Sequence, residues 1–120
     1  MMAWVAPLIA LQVKHVLFDF CCQTGWILQG KARYGGAGGV LHAGLHGAGT
    51  FLVLLFVTAL PVALVLSLLE VVAHYHIDWL KAQLDRKADT DSPRYWCLFG
   101  LDQLLHQLTM IAVLAIALTL

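Results

Sequence analysis

The sequence predicts an all-α integral membrane protein, a single domain of residues 1–120 in which four transmembrane helices form an up-down bundle. The chain is 61% hydrophobic and only 12% charged, whereas charged residues make up about a quarter of a typical soluble domain. Residues 51–69 include no charged side chain, and an apolar run of that length is typical of a membrane-spanning helix. The lipid bilayer is therefore an expected partner, and a formal net charge of zero gives no indication of a nucleic-acid partner.

The first helix is predicted over residues 4–29. It ends before the glycine-rich sequence GKARYGGAGG of residues 30–39, which is typical of a loop. Beyond that loop, residues 40–86 as one helix would be about 70 Å long, more than twice the roughly 30 Å core of a bilayer. Pro61 lies near the middle of this stretch and suits the first turn of a new helix. The second and third helices are therefore predicted over residues 40–59 and 61–86.

The fourth helix is predicted over residues 93–119. Ser92 is a favourable N-cap and Pro93 a favourable first-turn residue. Six of the seven basic residues lie at the loops that follow the first and third helices: Lys31, Arg33, Lys81, Arg86, Lys87 and Arg94. The positive-inside rule places these loops in the cytoplasm. Both termini and the turn at Pro61 are then expected on the non-cytoplasmic side.

Polar side chains recur at steps of four residues in every predicted helix. They are His15, Asp19 and Gln23 in the first, His42 and His46 in the second, Glu70, His74 and Asp78 in the third, and Asp102 and His106 in the fourth. Residues four apart lie on one face of a helix, and lipid cannot satisfy polar groups, so these faces are expected to point into the bundle.

The depths of these side chains are predicted to agree. Counted from Leu60, His46 and His74 are both 14 residues away, so a hairpin at Pro61 brings them level. The same count brings His42 level with Asp78. The polar faces of all four helices should therefore converge in the cytoplasmic half of the bundle.

Histidine nitrogens and carboxylate oxygens on facing helices are ligands for a divalent metal ion. Zinc is the favoured ion, with manganese or iron as alternatives. The principal candidate ligands are Asp19, His74, Asp78, Asp102 and His106, and His15, His42 and His46 are expected either as further ligands or in contact with the ligands. Gln23 and Gln103 are expected to orient ligands, and Glu70, Lys31 and Lys81 to lie in the second shell or to bind substrate. Haem is less favoured, because it explains paired histidines but not the aspartates.

Two functions remain open, and with them the question whether the protein is an enzyme. A metal centre in this position suits hydrolysis of a lipid or phosphate ester, with a spare carboxylate as base and lysines at the cytoplasmic rim for a phosphate. Alternatively, the His/Asp pairs join helices as polar glue in an accessory or assembly subunit, with a membrane-protein partner or a second copy of the chain. A proton or ion path is a further alternative.

The sequences HVLFDFCCQTGWI, HAGLHG, AHYHIDWLK and DQLLHQLT, together with Lys31, resemble the pattern of the DUF3307 family. The resemblance covers nearly the whole chain in the same order. It implies a small multi-pass protein of the bacterial inner (cytoplasmic) membrane, and it implies no biochemical activity. A more distant similarity to membrane-bound metal-dependent hydrolases agrees with the metal interpretation.

Overall fold

The computed structural model describes residues 2–86 and 89–120. Lys87, which was counted among the cytoplasmic basic residues, lies outside the described residues. The helical elements are α1 (Val5–Val16), a π-helical turn (Leu17–Cys21), α2 (Gly25–Lys31), α3 (Ala37–Leu54), α4 (Leu60–Leu84) and α5 (Pro93–Ala117). No strand occurs among the described residues, which confirms the all-α prediction.

Three helices, α3, α4 and α5, are long and apolar enough to cross a membrane. A fourth candidate span is the pair formed by residues 5–21 and α2, which is bent by 102° at the break between them. α1 packs against α3 and α5, and α4 packs against the same two helices. The long helices therefore form a closed ring around a common interior.

The prediction of one continuous helix over residues 4–29 was wrong. After α1, the N–H of Cys22 bonds to the carbonyl of Leu17 at 2.9 Å, a wider π-type spacing that is often found at functional sites. Thr24 then takes an extended conformation, and its side chain accepts a hydrogen bond from the N–H of Ile27. This N-cap starts a new helix in a new direction, so α2 turns across the end of the bundle.

Glycines let α2 lie directly against the start of α3. A Cβ added to Gly30 would lie 2.6 Å from the Cα of Gly38 and 2.7 Å from the N of Gly39, so only glycine allows this approach. Gly38 and Gly39 belong to α3, which begins at Ala37 instead of residue 40. The close contact fixes α2 and thereby the position of Lys31 at its end.

The turns between α3 and α4 and between α4 and α5 agree more closely with the prediction from the sequence. α3 ends at Leu54, five residues before the predicted end at residue 59, and α4 begins at Leu60 with Pro61 in its first turn, which confirms the turn at Pro61. α4 ends at Leu84, two residues early, and α5 spans 93–117 instead of 93–119. The Ser92 side chain accepts a hydrogen bond from the N–H of Tyr95 at 3.2 Å, as expected of an N-cap.

The interior of the bundle is divided into an apolar end and a polar end. The apolar cluster lies towards the Pro61 turn and the C-terminus, and its buried members are Leu11, Leu54, Ala63, Leu66, Met110, Val113, Leu114 and Ala117. The buried histidines and aspartates occupy the other end. Large apolar side chains such as Leu64, Leu68 and Leu108 point outwards, which is the arrangement that a lipid environment favours.

Candidate metal centre

All eight candidate ligands come together inside the bundle. Each of these residues is at most 7% exposed: His15, Asp19, His42, His46, His74, Asp78, Asp102 and His106. The rings of His46 and His74 stack with centroids 3.9 Å apart, and Nε2 of His42 lies 3.4 Å from Oδ2 of Asp78. These contacts confirm the predicted matching of depths across the Pro61 hairpin.

Asp19 is the centre of the first group of ligand atoms. Its Oδ1 accepts a hydrogen bond from Nε2 of His42 at 2.9 Å. The same oxygen lies 3.0 Å from Nε2 of His46 and 3.9 Å from Nε2 of His74. Because Asp19 stands in the π-helical turn, the break in the first span lies directly beside this group. The four residues offer ligand atoms that all lie within 4.8 Å of one another, so they can hold a metal ion.

Asp78 is the centre of a second group. Its Oδ2 lies 3.2 Å from Nε2 of His74, and its Oδ1 lies 3.3 Å from Nε2 of His106. These three residues also offer ligand atoms within 4.8 Å of one another. His74 belongs to both groups, which makes it the link between α3 and α5 across the site.

The spacing of these atoms fits metal coordination. Bonds of about 2.0–2.2 Å to a tetrahedral zinc ion place neighbouring ligand atoms about 3.3–3.6 Å apart, and the separations in this site run from 2.9 to 3.9 Å. Within the described residues, Nε2 of His46 and Nε2 of His74 have no hydrogen-bond partner, although buried polar atoms are nearly always paired. A haem would need its macrocycle between two histidine rings, and the 3.9 Å stacking of His46 on His74 leaves no such space. These nitrogen and oxygen atoms are therefore better suited to a single metal ion than to haem.

His15 and Asp102 lie at the edge of the site. Nε2 of His15 is 3.4 Å from Oδ2 of Asp19, and Oδ1 of Asp102 is 3.4 Å from Nε2 of His106. Neither residue is part of the two compact groups found among the described residues. Gln103 connects them, since its Oε1 accepts from His15 at 3.0 Å and its Nε2 donates to Oδ2 of Asp102 at 3.1 Å. Gln103 therefore has the contacts of an orienting residue.

The other polar residues predicted near the site have different surroundings. Nζ of Lys31 lies 3.0 Å from Oδ2 of Asp78, in direct contact with the second group. Lys81 pairs with Asp85 at 3.2 Å at the rim. Gln23 donates to the backbone carbonyl of Asp19 at 2.9 Å, so its observed contact is with the main chain and not with the carboxylate.

Glu70 takes part in a separate buried network that sequence reasoning missed. Nζ of Lys14 donates to Oε1 of Glu70 and to Oγ1 of Thr50, each at 2.8 Å. It also donates to the backbone carbonyl of His46 at 3.2 Å, which joins the network to the metal centre. A signal was present in the sequence: Lys14 and Glu70 are single charges in apolar stretches, and such charges usually pair.

A polar cavity of about 200 Å³ adjoins the metal centre. Its lining includes Asp19, Asp78 and Asp102 together with Lys31 and Lys81. The cavity is at the end of the bundle where α2 and the α4–α5 connection lie. Both lysines that were predicted to hold a phosphate therefore face the same space as the candidate ligands.

Residues 8–120 match the DUF3307 family, which is described as a protein of unknown function. The matched range includes every residue of the candidate metal centre. No curated protein and no solved structure matches the chain significantly. A match over nearly the whole chain shows the family, and the chain therefore belongs to DUF3307.

Proposed function

We propose that this protein is a metal-dependent hydrolase of the bacterial inner membrane that acts on a phosphate ester. The observation that supports this most directly is the set of buried ligand atoms without hydrogen bonds. Nε2 of His46 lies 3.0 Å from Oδ1 of Asp19 but has no hydrogen-bond partner in the described part of the chain. A divalent ion, preferably zinc, would coordinate these atoms.

The first group supplies the principal ligands: Asp19, His42, His46 and His74. Asp78 and His106 offer a second position that shares His74 with the first. Gln103 orients His15 and Asp102, a role that second-shell residues commonly have around metals. At least one ion per chain is expected, and a second ion would compete for His74.

When bound, the ion would polarise a phosphoryl oxygen and acidify a water molecule. Lys31 and Lys81 line the cavity and would bind the phosphate oxygens. The water oxygen forms a new bond to phosphorus while the ester P–O bond breaks. Asp102 faces the cavity and would accept a proton from the water and pass it to the leaving alkoxide. The products are an alcohol and hydrogen phosphate, which balance the ester and the water.

The proposed topology has four spans with both termini on the non-cytoplasmic side. Residues 5–21 form 17 residues of helical chain, about 25 Å at 1.5 Å per residue, which nearly crosses a bilayer core of about 30 Å. The bend then lets α2 lie across the cytoplasmic end. The basic residues Lys31, Lys81 and Arg94 lie at that end, as the positive-inside rule requires.

The test is hydrolysis of 4-nitrophenyl phosphate by tag-free, detergent-purified protein. Zinc-loaded wild-type protein should release 4-nitrophenol, and chelation followed by zinc should abolish and restore the rate. Asp102→Asn should lower kcat at least about a hundredfold, in the range typical of a lost acid–base group. Asp91→Asn is the matched control, because Asp91 is an exposed aspartate in the α4–α5 connection. A rate that survives chelation, or equal rates in the two variants, would contradict the proposal.

A second function, an accessory or assembly subunit, is favoured by one observation. The Lys14–Glu70 pair, at 2.8 Å, shows that this bundle joins helices through buried polar contacts, as polar glue does. If the histidines and aspartates serve the same purpose, the purified protein is folded, metal-free and associated with a membrane-protein partner. Metal content therefore separates the two functions.

A further inference from the structure

An apolar groove lies beside the polar cavity, between α4 and α5. Its volume of about 390 Å³ is within the range of about 300–1,000 Å³ that is typical of ligand pockets. Its apolar walls are Ile77, Leu80 and Leu84 of α4 and Leu98, Leu101 and Leu105 of α5. Leu101 is 51% exposed, so the groove is open to the outer surface of these two candidate membrane spans, where lipid chains lie.

The groove and the polar cavity meet at two residues. Lys81 of α4 and Asp102 of α5 line both spaces. The groove spans residues 77–84 of α4, about 10 Å at 1.5 Å per residue, and Lys81 lies within this range. A molecule with a polar head and an apolar chain can therefore occupy both spaces at once, with its head beside the metal centre.

The charges of the cavity favour an anionic head only when metal is bound. Its lining includes the four carboxylates of Asp19, Asp78, Asp85 and Asp102 and the two lysines Lys31 and Lys81, which together carry a net charge of −2. One divalent ion brings this charge to zero and a second makes it positive. Lysine ammonium groups are common phosphate ligands, so a metal-loaded cavity suits a phosphate group.

The walls of the groove favour an alkyl chain over a partner helix. Close packing between membrane helices usually relies on small residues that let the backbones approach. The described apolar walls consist of leucine and isoleucine side chains, which hold a second backbone away. Flexible alkyl chains pack against such side chains without that restriction.

We propose that the substrate is an amphiphile whose phosphate head binds in the polar cavity and whose alkyl chain lies in the groove between α4 and α5. This inference rests on the proposed function, because it names the substrate class of the same site. Lys81 lies at the junction and contacts the head, while Leu80, Leu101 and Leu105 contact the chain. A soluble phosphate ester would use the cavity alone.

The test compares two non-hydrolysable ligands that have the same head, hexadecylphosphonate and methylphosphonate. Their binding to zinc-loaded, full-length protein in neutral-lipid nanodiscs is measured by calorimetry, with empty nanodiscs to subtract partitioning. Hexadecylphosphonate should bind at least about tenfold more tightly, because buried methylenes add to affinity. Leu101→Trp, which fills the groove, should remove most of this difference. Leu104→Trp should keep it, because Leu104 is on the same helix and 49% exposed but does not line the groove.

Equal affinities for the two ligands in the wild-type protein would overturn the inference, as would equal behaviour of the two tryptophan variants. Co-purification of a membrane protein that Leu101→Trp releases and Leu104→Trp retains would assign the groove to a partner helix and also overturn it. Metal-dependent hydrolysis of 4-nitrophenyl phosphate without chain selectivity would remove this inference and leave the proposed function. Chain-selective binding without any hydrolysis would contradict the proposed hydrolase function and would leave the groove as a binding site for an alkyl chain.

Discussion

Nε2 of His46 lies 3.0 Å from Oδ1 of Asp19, and this nitrogen has no hydrogen-bond partner among the described residues. The same oxygen accepts a hydrogen bond from His42 at 2.9 Å. One carboxylate oxygen thus faces two imidazole nitrogens from α3 at separations slightly shorter than those between neighbouring ligands on tetrahedral zinc. Leaving a buried polar atom unpaired costs about 1–3 kcal/mol, and a bound divalent ion would offset that cost for several atoms together.

The Lys14–Glu70 pair should be important for the stability of the bundle. Glu70→Gln leaves the Lys14 ammonium buried without its counter-charge, and breaking a buried pair in this way costs about 3–5 kcal/mol. Replacing both residues, as Lys14→Met with Glu70→Leu, should recover most of that loss, because well-packed apolar residues often replace buried pairs without penalty. Unfolding in detergent titrations gives the free energies. A Glu70→Gln variant as stable as the wild type would contradict this role.

The contact between α2 and α3 should be intolerant of side chains at Gly30. Gly30→Ala places a Cβ 2.6 Å from the Cα of Gly38, and such overpacking costs about 1–3 kcal/mol. Gly44→Ala is the matched control, because a Cβ there meets no described atom within 4 Å and alanine favours helix by up to about 1 kcal/mol. Thermal unfolding of both variants should show a lower Tm for Gly30→Ala only. Equal Tm values would mean that α2 can shift without loss.

Gln103 should influence metal affinity without being a ligand. Its amide contacts His15 at 3.0 Å and Asp102 at 3.1 Å, so Gln103→Leu releases both side chains. Loss of such orienting contacts typically weakens metal binding about 10–100-fold. Competition with a fluorescent zinc chelator gives the affinity. Gln107→Leu, an exposed position on the same helix, should have the affinity of the wild type, and a matching loss there would contradict the orienting role.

The topology can be tested with single cysteines in a background that lacks Cys21, Cys22 and Cys97. Asp91→Cys lies in the α4–α5 connection and Thr119→Cys follows α5, and both positions are exposed. The positive-inside rule places the first in the cytoplasm and the second outside. A membrane-impermeant maleimide should label Thr119→Cys in intact spheroplasts and Asp91→Cys only in inverted vesicles. The opposite pattern would reverse the proposed orientation.

Sequence periodicity was sufficient to predict that the long helices exist and that their polar faces meet inside the bundle. The four-residue spacing of His42 and His46, and of His74 and Asp78, defines one helix face, and a lipid environment leaves only the interior for that face. Pro61 then fixed the hairpin, so the relative depth of His46 and His74 followed from counting residues. These features depend on the periodicity and the length of each segment, and both can be read directly from the sequence.

The bend in the first span and the course of α2 depend on contacts between distant residues. Thr24 followed by Gly25 is a local signal for a new helix start, but a single threonine and a single glycine also occur inside continuous helices, so the prediction passed over it. α2 is held by the approach of Gly30 to Gly38, and glycine-rich sequence alone is equally typical of a loop. The partner of Lys14 was missed for a related reason, since Glu70 is 56 residues away in the chain.

Metal content of tag-free, detergent-purified protein, measured by mass spectrometry without added metal, tests the metal centre most directly. Wild-type protein should carry about one or more equivalents of zinc, manganese or iron. His74→Ala should lose most of that metal, because His74 belongs to both ligand groups. His76→Ala should keep it, because His76 is exposed and bonds to Tyr34 and to the Val72 carbonyl. Folded wild-type protein without metal, or equal metal content in the two variants, would contradict the metal centre.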